Sequence, residues 1–201
     1  MQDVTDLPLS FDYRDPAVTK VILPFVGKKP FLNTMRMSQH ALDRFLPLAA
    51  EHRTRVILGS HGGNPLNESW EQRLRFLDHL VHQATDMGLP LDNLYIDVLV
   101  SSLSINHRSA TQALETIQRV VTEFRGIHTI CDLKIISQGL PRRRILDHTF
   151  IVATIVQGLD SAILDPTDRQ LYGTVKAALL VAGRDEGWEE YIEAVKEHEF
   201  D

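Results

Sequence analysis

The stretch Asp132-Leu-Lys-Ile-Ile-Ser137-Gln-Gly-Leu-Pro-Arg-Arg-Arg144 decides the fold. Its apolar part, Leu133 to Ile136, predicts a buried strand, and a polar loop with three consecutive arginines follows it. Apolar residues at helical spacing then predict a helix, and the segment from Ser161 to Asp165 predicts another strand. This order indicates a parallel α/β unit, in which functional groups lie where the strands end.

The same alternation extends over the whole chain and predicts six strands separated by helices. Short loops between the elements favour a parallel sheet with right-handed crossovers. Both a doubly wound sheet and a (β/α) barrel fit this pattern, although a complete barrel needs eight strands. The predicted strands are Leu7–Asp12, Pro30–Met35, Arg55–His61, Leu94–Val100, the region from Ile130 to Ile136, and Ala162–Leu164.

Polar residues at the predicted helix starts set the boundaries between these elements. We expect Asp15, Ser38 and Ser109 to cap three helices, and Pro16 suits the first turn that follows Asp15. Further helices are predicted for Ser69–Met87, Thr167–Ala182 and Trp188–His198.

Composition narrows the class of protein. With 201 residues, 43% hydrophobic residues and 24% charged residues, the chain is typical of a single globular domain spanning 1–201. A net charge of −6 argues against nucleic-acid binding. The single cysteine, Cys131, excludes an internal disulfide and a thiolate metal site. No apolar run is long enough for a membrane span and no signal-peptide pattern is present, so we expect a cytoplasmic protein.

Each predicted strand ends on polar side chains, which parallel strands would bring to one rim. Carboxylates and amides without a metal-type cluster suit a neutral heterocycle that is rich in N–H donors. Several of these residues also have structural alternatives as helix caps or turn residues, whereas Asp97 interrupts an apolar run where an unpaired carboxylate is costly to bury. The rim residues are Asp12, Asn33, Ser60 with His61, Asp97, Ser137 with Gln138, and Asp165.

Three segments resemble the pterin-binding methyltransferases: Asn93-Leu-Tyr-Ile-Asp97-Val-Leu, Ser137-Gln-Gly-Leu-Pro-Arg-Arg-Arg-Ile-Leu-Asp-His-Thr-Phe150 and Gly158-Leu-Asp-Ser-Ala-Ile-Leu-Asp-Pro166. The resemblance is greatest to methyltetrahydrofolate:corrinoid/iron–sulfur protein methyltransferases and extends to dihydropteroate synthases. It implies a TIM-barrel-like parallel (β/α) fold, here without its first two β/α units.

The resemblance also implies a function and a set of site residues. The family moves a methyl group from N5 of methyltetrahydrofolate to the cob(I)alamin of a separate corrinoid protein, so that methyltetrahydrofolate is the pterin substrate. Asp97 and Asn33 match residues with a catalytic role. Asp12, Asn33 and Asp97 match residues that bind the pterin ring, and Ser137, Gln138 and Arg143 match residues of the loop that lines its pocket.

Two departures from the family pattern leave three interpretations open. Ile135 stands where the family has an asparagine that hydrogen-bonds near N5, and Lys134 could replace that asparagine only if the strand register shifted by one residue. Six strands also cannot close an eight-stranded barrel, so exposed edges predict a homodimer or a hetero-oligomer. The chain is therefore an active methyltransferase, a non-catalytic module that binds a pterin or a corrinoid protein, or a chain that needs a partner to complete its barrel.

Overall fold

The structure is a computed structural model that describes residues 5–12, 15–34, 38–60 and 70–197. The chain divides into two compact units. Unit 1 comprises residues 1–99 and 125–128, and unit 2 comprises residues 100–124 and 129–201. The single domain expected over 1–201 stays a prediction.

Unit 1 contains four parallel strands in chain order: β1 (Ser10–Phe11), β2 (Phe31–Asn33), β3 (Arg55–Gly59) and β4 (Leu94–Asp97). The connecting helices are α1 (Pro16–Ile22), α2 (Gln39–Glu51) and α3 (Trp70–Asp86), with short 3-10 segments at Leu23–Phe25 and Leu91–Asn93. Each strand is followed by a helix in the chain, as the α/β alternation predicted.

The predicted caps of the first two helices are confirmed. The Asp15 carboxylate accepts the backbone N–H of Ala17 at 2.9 Å, and Pro16 occupies the first helical position of α1. The Ser38 hydroxyl accepts the backbone N–H of Ala41 at 3.4 Å at the start of α2. These contacts satisfy backbone donors that a helix leaves without an internal partner.

Unit 2 contains most of β5 (His128–Asp132), all of β6 (Ser161–Ile163), and the helices α4 (Ser109–Glu123), α5 (Arg143–Gln157), α6 (Arg169–Val181) and α7 (Glu189–Lys196). β5 and β6 pair in parallel, with Cys131 opposite Ala162. Consecutive helices from α4 to α7 pack against one another. The six strands among the described residues and their alternating helices confirm the predicted fold class. No described helix has the length and apolar character of a membrane span.

The predicted strand from Leu133 to Ile136 is wrong. β5 ends at Asp132, and residues 133–136 form turns. The Asp132 carboxylate accepts the backbone N–H of Lys134 at 3.1 Å, which bends the chain immediately after the strand. The Leu133 N–H still donates to the carbonyl of Ile163 in β6 at 3.3 Å, which is the last bond of the ladder between β5 and β6. Leu133 and Ile136 are both fully buried, so the apolar character of this segment beyond Leu133 reflects burial in a turn.

The predicted Ser109 cap is also wrong. α4 begins at Ser109 itself and has no side-chain cap. The Ser109 hydroxyl instead accepts the backbone N–H of Ser101 at 2.8 Å. Ser109 therefore ties the loop after β4 to the start of α4, which is a different use of the same hydroxyl.

Candidate functional site

The strand register of unit 1 gives its sheet two chemically different faces. Paired residues and every second residue share a face, so one face carries the aliphatic side chains of Leu32, Val56, Leu58, Leu94 and Ile96, all fully buried. The opposite face carries Phe31, Asn33, Arg55, Ile57, Tyr95 and Asp97. The two predicted pterin-binding residues on β2 and β4 therefore lie on one face, away from the aliphatic layer.

Asp97 is the last residue of β4 and only 2% exposed. Its carboxylate accepts the backbone N–H of Leu99 at 2.7 Å, and its backbone carbonyl accepts the N–H of Ser60 at 3.1 Å. Leu99 has a φ of 48°, in the left-handed region that a leucine rarely adopts. The Asp97 side chain thus stabilises an unusual turn while it lies at the carboxyl end of a parallel strand.

Asn33 ends β2 two residues below the level of Asp97. It pairs with Ile57 of β3, whereas Asp97 pairs with Gly59 of the same strand. The two side chains are separated by one strand, which corresponds to a lateral distance of about 10 Å. Gly59 has no side chain, so at this position β3 contributes only its backbone beside Asp97.

Thr34 fixes the end of β2 that carries Asn33. Its backbone N–H and its hydroxyl both donate to the carbonyl of Ile57, at 3.0 and 2.8 Å. Asn33 is half-buried, and Asp12, which directly follows β1, is exposed. The structure therefore places Asp12, Asn33 and Asp97 at consecutive or near-consecutive strand ends of unit 1, as predicted. His61 lies outside the described residues.

Aromatic side chains form the lower part of the same face, toward the amino ends of the strands. The Phe31 and Tyr95 rings meet edge to face with centroids 5.0 Å apart, and Tyr95 stacks on His128 at 4.5 Å. The Arg55 guanidinium lies 5.0 Å from the centre of the Phe31 ring. This cluster gives the face a rigid base below Asn33 and Asp97.

Ser60 is a polar residue whose role the sequence did not define. Its side chain is completely buried, and its hydroxyl has no hydrogen-bond partner among the described residues. Its backbone is bonded to that of Asp97. A buried hydroxyl without a partner costs free energy, so Ser60 is a further candidate for contact with a bound polar group.

In unit 2, Arg143 closes the loop between β5 and α5. Its Nε donates to the Ser137 hydroxyl at 3.1 Å, and its Nη2 donates to the carbonyl of Lys134 at 3.1 Å. Ser137 is fully buried, whereas Arg143 is exposed. The buried Ser137 hydroxyl therefore holds the exposed Arg143 side chain in place.

The serine-rich loop after β4 holds the backbone of Gln138. The hydroxyls of Ser102 and Ser104 both donate to the Gln138 carbonyl, the latter at 3.0 Å, and the N–H of Leu103 donates to the carbonyl of Ile136 at 3.0 Å. A Cβ at Gly139 would lie 3.0 Å from the Ser104 hydroxyl, and Gly139 has a φ of 77°. Glycine is thus required at this contact, and the Gln138 side chain extends from a fixed backbone into solvent.

Lys134 and Asp165 form an ion pair that the sequence analysis missed. The Lys134 ammonium lies 3.2 Å from the Asp165 carboxylate, which also accepts the Thr167 hydroxyl at 2.6 Å and the Thr167 N–H at 3.0 Å. The Thr167 hydroxyl, the Thr167 N–H and Lys134 together lower the pKa of Asp165 to about 2. Asp165 directly precedes Pro166, and Lys134 lies 31 residues earlier in the chain, so no local sequence pattern indicates that the two residues pair.

The sequence analysis allowed Lys134 to replace the asparagine of the family only if the strand register shifted by one residue, and the structure removes this condition. Because Lys134 lies in a turn and not in a strand, its side chain can point toward Asp165 without any shift of strand register. Ile135 is half-buried in the same turn and offers only its backbone carbonyl, which accepts the N–H of Gln138 at 3.2 Å. Lys134 directly precedes Ile135 in the sequence, and its side chain can donate hydrogen bonds where the Ile135 side chain cannot.

The candidate site does not include a recognisable metal centre in the part of the chain that the structure describes, because no group of three or more His, Cys, Asp and Glu side chains there could hold an ion.

The fold of this chain is similar to that of solved dihydropteroate synthases. The structure aligns with the dihydropteroate synthase of Coxiella burnetii over 90% of this chain and 67% of that chain, with a TM-score of 0.64 and 15% identity. It aligns with the dihydropteroate synthase of Xanthomonas albilineans over 92% of this chain and 67% of that chain, with a TM-score of 0.67 and 19% identity. At these identities the alignments show the fold.

A curated protein is similar to this chain in sequence. The chain is 25% identical over 199 residues to a methylcorrinoid:tetrahydrofolate methyltransferase of Eubacterium limosum, which covers 98% of this chain and 73% of the relative. No protein-family model matches the chain. The resemblance to the pterin-binding methyltransferases and dihydropteroate synthases is confirmed, as is the TIM-barrel-like (β/α) fold.

Proposed function

We propose that this protein binds a reduced folate and exchanges its N5 methyl group with the cobalt of a corrinoid held by a partner protein. The observation that carries this proposal is the buried Asp97 carboxylate at the end of β4, on the same sheet face as Asn33 and beside a glycine. The similarity over 98% of the chain to a methylcorrinoid:tetrahydrofolate methyltransferase supports the same reaction class.

The roles of the unit 1 residues follow from their hydrogen-bonding chemistry. A buried carboxylate accepts two parallel N–H groups, which are the donors that the pyrimidine part of a pterin presents, so we assign this contact to Asp97. Asn33 both donates and accepts, and it holds the ring at a second edge. Asp12 is exposed and contributes at the entrance to the site.

The unit 2 residues have proposed roles that rest on the family resemblance. Gln138 and Arg143 contribute polar groups to the pterin pocket, and Ser137 orients Arg143 through its hydrogen bond. Since Ile135 has no donor, the Lys134 ammonium supplies the hydrogen bond that N5 requires when the methyl group leaves. In this arrangement the ion pair with Asp165 orients the Lys134 ammonium.

The relative's name describes methyl transfer from a methylcorrinoid to tetrahydrofolate, which is the reverse of the direction that the sequence motifs implied. Both directions pass through the same transition state, so the same residues serve each of them. The corrinoid supplies the cobalt that accepts or donates the methyl group, and this chain supplies the binding and orientation of the folate. The net direction then depends on the equilibrium constant and on the concentrations of both methyl donors and both methyl acceptors.

A second candidate function is a pterin-binding module without methyl transfer. Ile135 favours it, because a lost transition-state hydrogen bond typically lowers a rate by about 10²-fold or more. The two functions share the Asp97 contact, so they differ in turnover and not in binding.

Calorimetric titration with methyltetrahydrofolate tests both candidates. Binding by the wild-type chain that is weakened in Asp97→Asn and unchanged in the exposed control Asp86→Asn is expected for either function. Methyl transfer is then followed by the spectral change from cob(I)alamin to methylcobalamin, and in reverse with methylcobalamin and tetrahydrofolate. Turnover in either direction identifies the methyltransferase, and binding without turnover identifies the module. An absence of folate binding contradicts both.

A further inference from the structure

Basic residues are concentrated in two loops of unit 2, although the chain as a whole carries a net charge of −6. The first loop, residues 100–108, follows β4, and the second, residues 133–142, follows β5. A cluster of cations without acidic neighbours in the sequence attracts anions, and salt screens this attraction. With the first two residues of α5, the loops contain five basic residues and no acidic residue: Arg108, Lys134, Arg142, Arg143 and Arg144.

Hydrogen bonds tie the two loops together. The Leu103 N–H of the first loop donates to the carbonyl of Ile136 in the second at 3.0 Å. The Ser104 hydroxyl donates to the carbonyl of Gln138 at 3.0 Å. Both loops therefore present their side chains from one shared framework, so that little backbone entropy remains to be lost when a ligand binds.

Three of the five cations are already held by other groups of unit 2. The Lys134 ammonium lies 3.2 Å from the Asp165 carboxylate, and the Arg144 guanidinium lies 3.2 Å from the Asp168 carboxylate. Arg143 donates to two oxygen atoms of the loop that precedes it. These contacts account for the three side chains within the protein itself.

Arg108 and Arg142 differ from the other three, because neither guanidinium has a partner among the described residues. Both side chains are exposed, yet their backbones are fixed. The Arg108 N–H donates to the Asn106 side chain at 3.1 Å, and the Arg142 carbonyl accepts the Ile145 N–H at 3.1 Å. Each arginine directly precedes a helix, where it offers no acceptor for a cap and the helix dipole disfavours its charge. The fold therefore gives no reason for either cation.

The backbone of Arg142 adopts a conformation that an arginine rarely takes. Its φ of 51° and ψ of 45° lie in the left-handed region, which a glycine would occupy without strain. The chain thus carries a strained, exposed arginine at a position where a smaller residue would suit the turn better. Strain of this kind occurs at positions that hold a ligand.

The ligand of the proposed function carries the anions that these two arginines would bind. A reduced folate consists of a pterin, an aminobenzoyl group and one or more γ-linked glutamates, and each added glutamate contributes one carboxylate. The first loop follows β4, whose last residue is the proposed pterin contact Asp97. A guanidinium binds a carboxylate through two parallel N–H donors and keeps its charge at every physiological pH.

We propose that Arg108 and Arg142 bind the glutamate tail of the folate, so that the preferred substrate is a polyglutamylated form. This inference rests on the proposed folate binding and adds to it a preference for tail length. Asp97 holds the pterin end of the ligand, and the two arginines hold the other end. Exposed pairs of arginine and carboxylate each contribute modestly, so the preference for a longer tail is small and sensitive to salt.

Calorimetric titration with methyltetrahydrofolate that carries either one or three glutamates tests this proposal. We expect the triglutamate to bind the wild-type chain about 5- to 10-fold more tightly at low salt, and about equally at high salt. In the double variant Arg108→Gln and Arg142→Gln, the ratio of the two affinities falls to about one. The control variant, Arg75→Gln with Arg125→Gln, removes two exposed arginines outside these loops and keeps the wild-type ratio.

Asp97→Asn separates the two ends of the ligand. It weakens both folates by the same factor and leaves their ratio unchanged, because the pterin and tail contacts are independent. Equal affinities of the wild-type chain for the two folates at low salt overturn this inference and leave the proposed folate binding intact. A preference that persists in the double arginine variant, with its fold checked by circular dichroism, also overturns it. A wild-type chain that binds neither folate overturns the proposed function together with this inference.

Discussion

The Asp97 carboxylate accepts the backbone N–H of Leu99 at 2.7 Å, and Leu99 has a φ of 48°. One carboxylate thus supports a strained turn at the end of β4 and is also the proposed contact for the pterin. The two roles can be separated because asparagine keeps an oxygen acceptor while it loses the charge.

We predict that Asp97→Asn retains the turn and weakens folate binding, whereas Asp97→Ala loses both. Removal of the charge-assisted acceptor should reduce the binding free energy by about 1–3 kcal/mol. Asp97→Ala should also lower the free energy of unfolding by about 1–3 kcal/mol, because the Leu99 N–H loses its acceptor. Calorimetric titration and urea denaturation measure the two effects, and equal affinity of Asp97→Asn and wild type would remove Asp97 from the site.

The paired serines after β4 give a second prediction. Ser102→Ala combined with Ser104→Ala removes both hydroxyl donors to the Gln138 carbonyl and should lower the free energy of unfolding by about 1–2 kcal/mol. Hydrogen exchange of the loop between β5 and α5 should become faster at the same time. The neighbouring Ser101→Ala is the matched control, with an expected change within about 0.5 kcal/mol. Comparable losses in the control and the double variant would contradict the specific contact.

Titration of Asp165 gives a prediction with a defined sign. Its folded-state pKa of about 2 lies below the usual value of 3.8, chiefly because the Thr167 hydroxyl and N–H bond to the charged form. The resulting stabilisation is present above pH 4 and is lost as the pH falls through about 2, where the native carboxylate takes up its proton. Thr167→Val should raise this pKa, and carboxyl ¹³C chemical shifts recorded against pH measure it. An unchanged titration in Thr167→Val would mean that Lys134 dominates.

The contrast between local and distant contacts explains which features could be predicted from sequence. Asp15 and Ser38 are helix caps whose partners lie two or three residues away, so composition and spacing were sufficient. The bonds from Ser102 and Ser104 to Gln138 cross 36 and 34 residues, and no local pattern indicates them. Leu133 and Ile136 were misassigned because burial and strand pairing both favour apolar residues.

At the candidate site, too, the local features could be predicted from sequence and the contacts between distant residues could not. Asn33 and Asp97 were placed at the ends of β2 and β4 because polar residues interrupt apolar runs there. Their common face follows only from the pairing of both strands with β3, which the structure defines. Asp132 ends β5 in place of Ser137, and its bond to the Lys134 N–H could have been suspected from an acidic residue two places before that N–H.

Ile135 offers a gain-of-function test of the proposed reaction. Ile135→Asn places a hydrogen-bond donor in the turn where the related methyltransferases have an asparagine, and it should raise the rate of methyl transfer by about 10- to 100-fold. Ile135→Leu has nearly the shape of asparagine without its donors, so it should give no increase. Methylcobalamin formation from methyltetrahydrofolate and cob(I)alamin measures the rate, with folate affinity determined in parallel.

The same pair of variants also tests the role proposed for Lys134. If the Lys134 ammonium serves N5 in the wild-type chain, Lys134→Ala should reduce methyl transfer strongly in the wild-type background and only weakly in Ile135→Asn, where the new amide replaces it. Folate affinity should change little in either case, since the contact strengthens as the methyl group leaves. Equal losses in both backgrounds would assign Lys134 to the structure of the turn through Asp165, and an Ile135→Asn rate no higher than that of Ile135→Leu would locate the limiting step outside this turn.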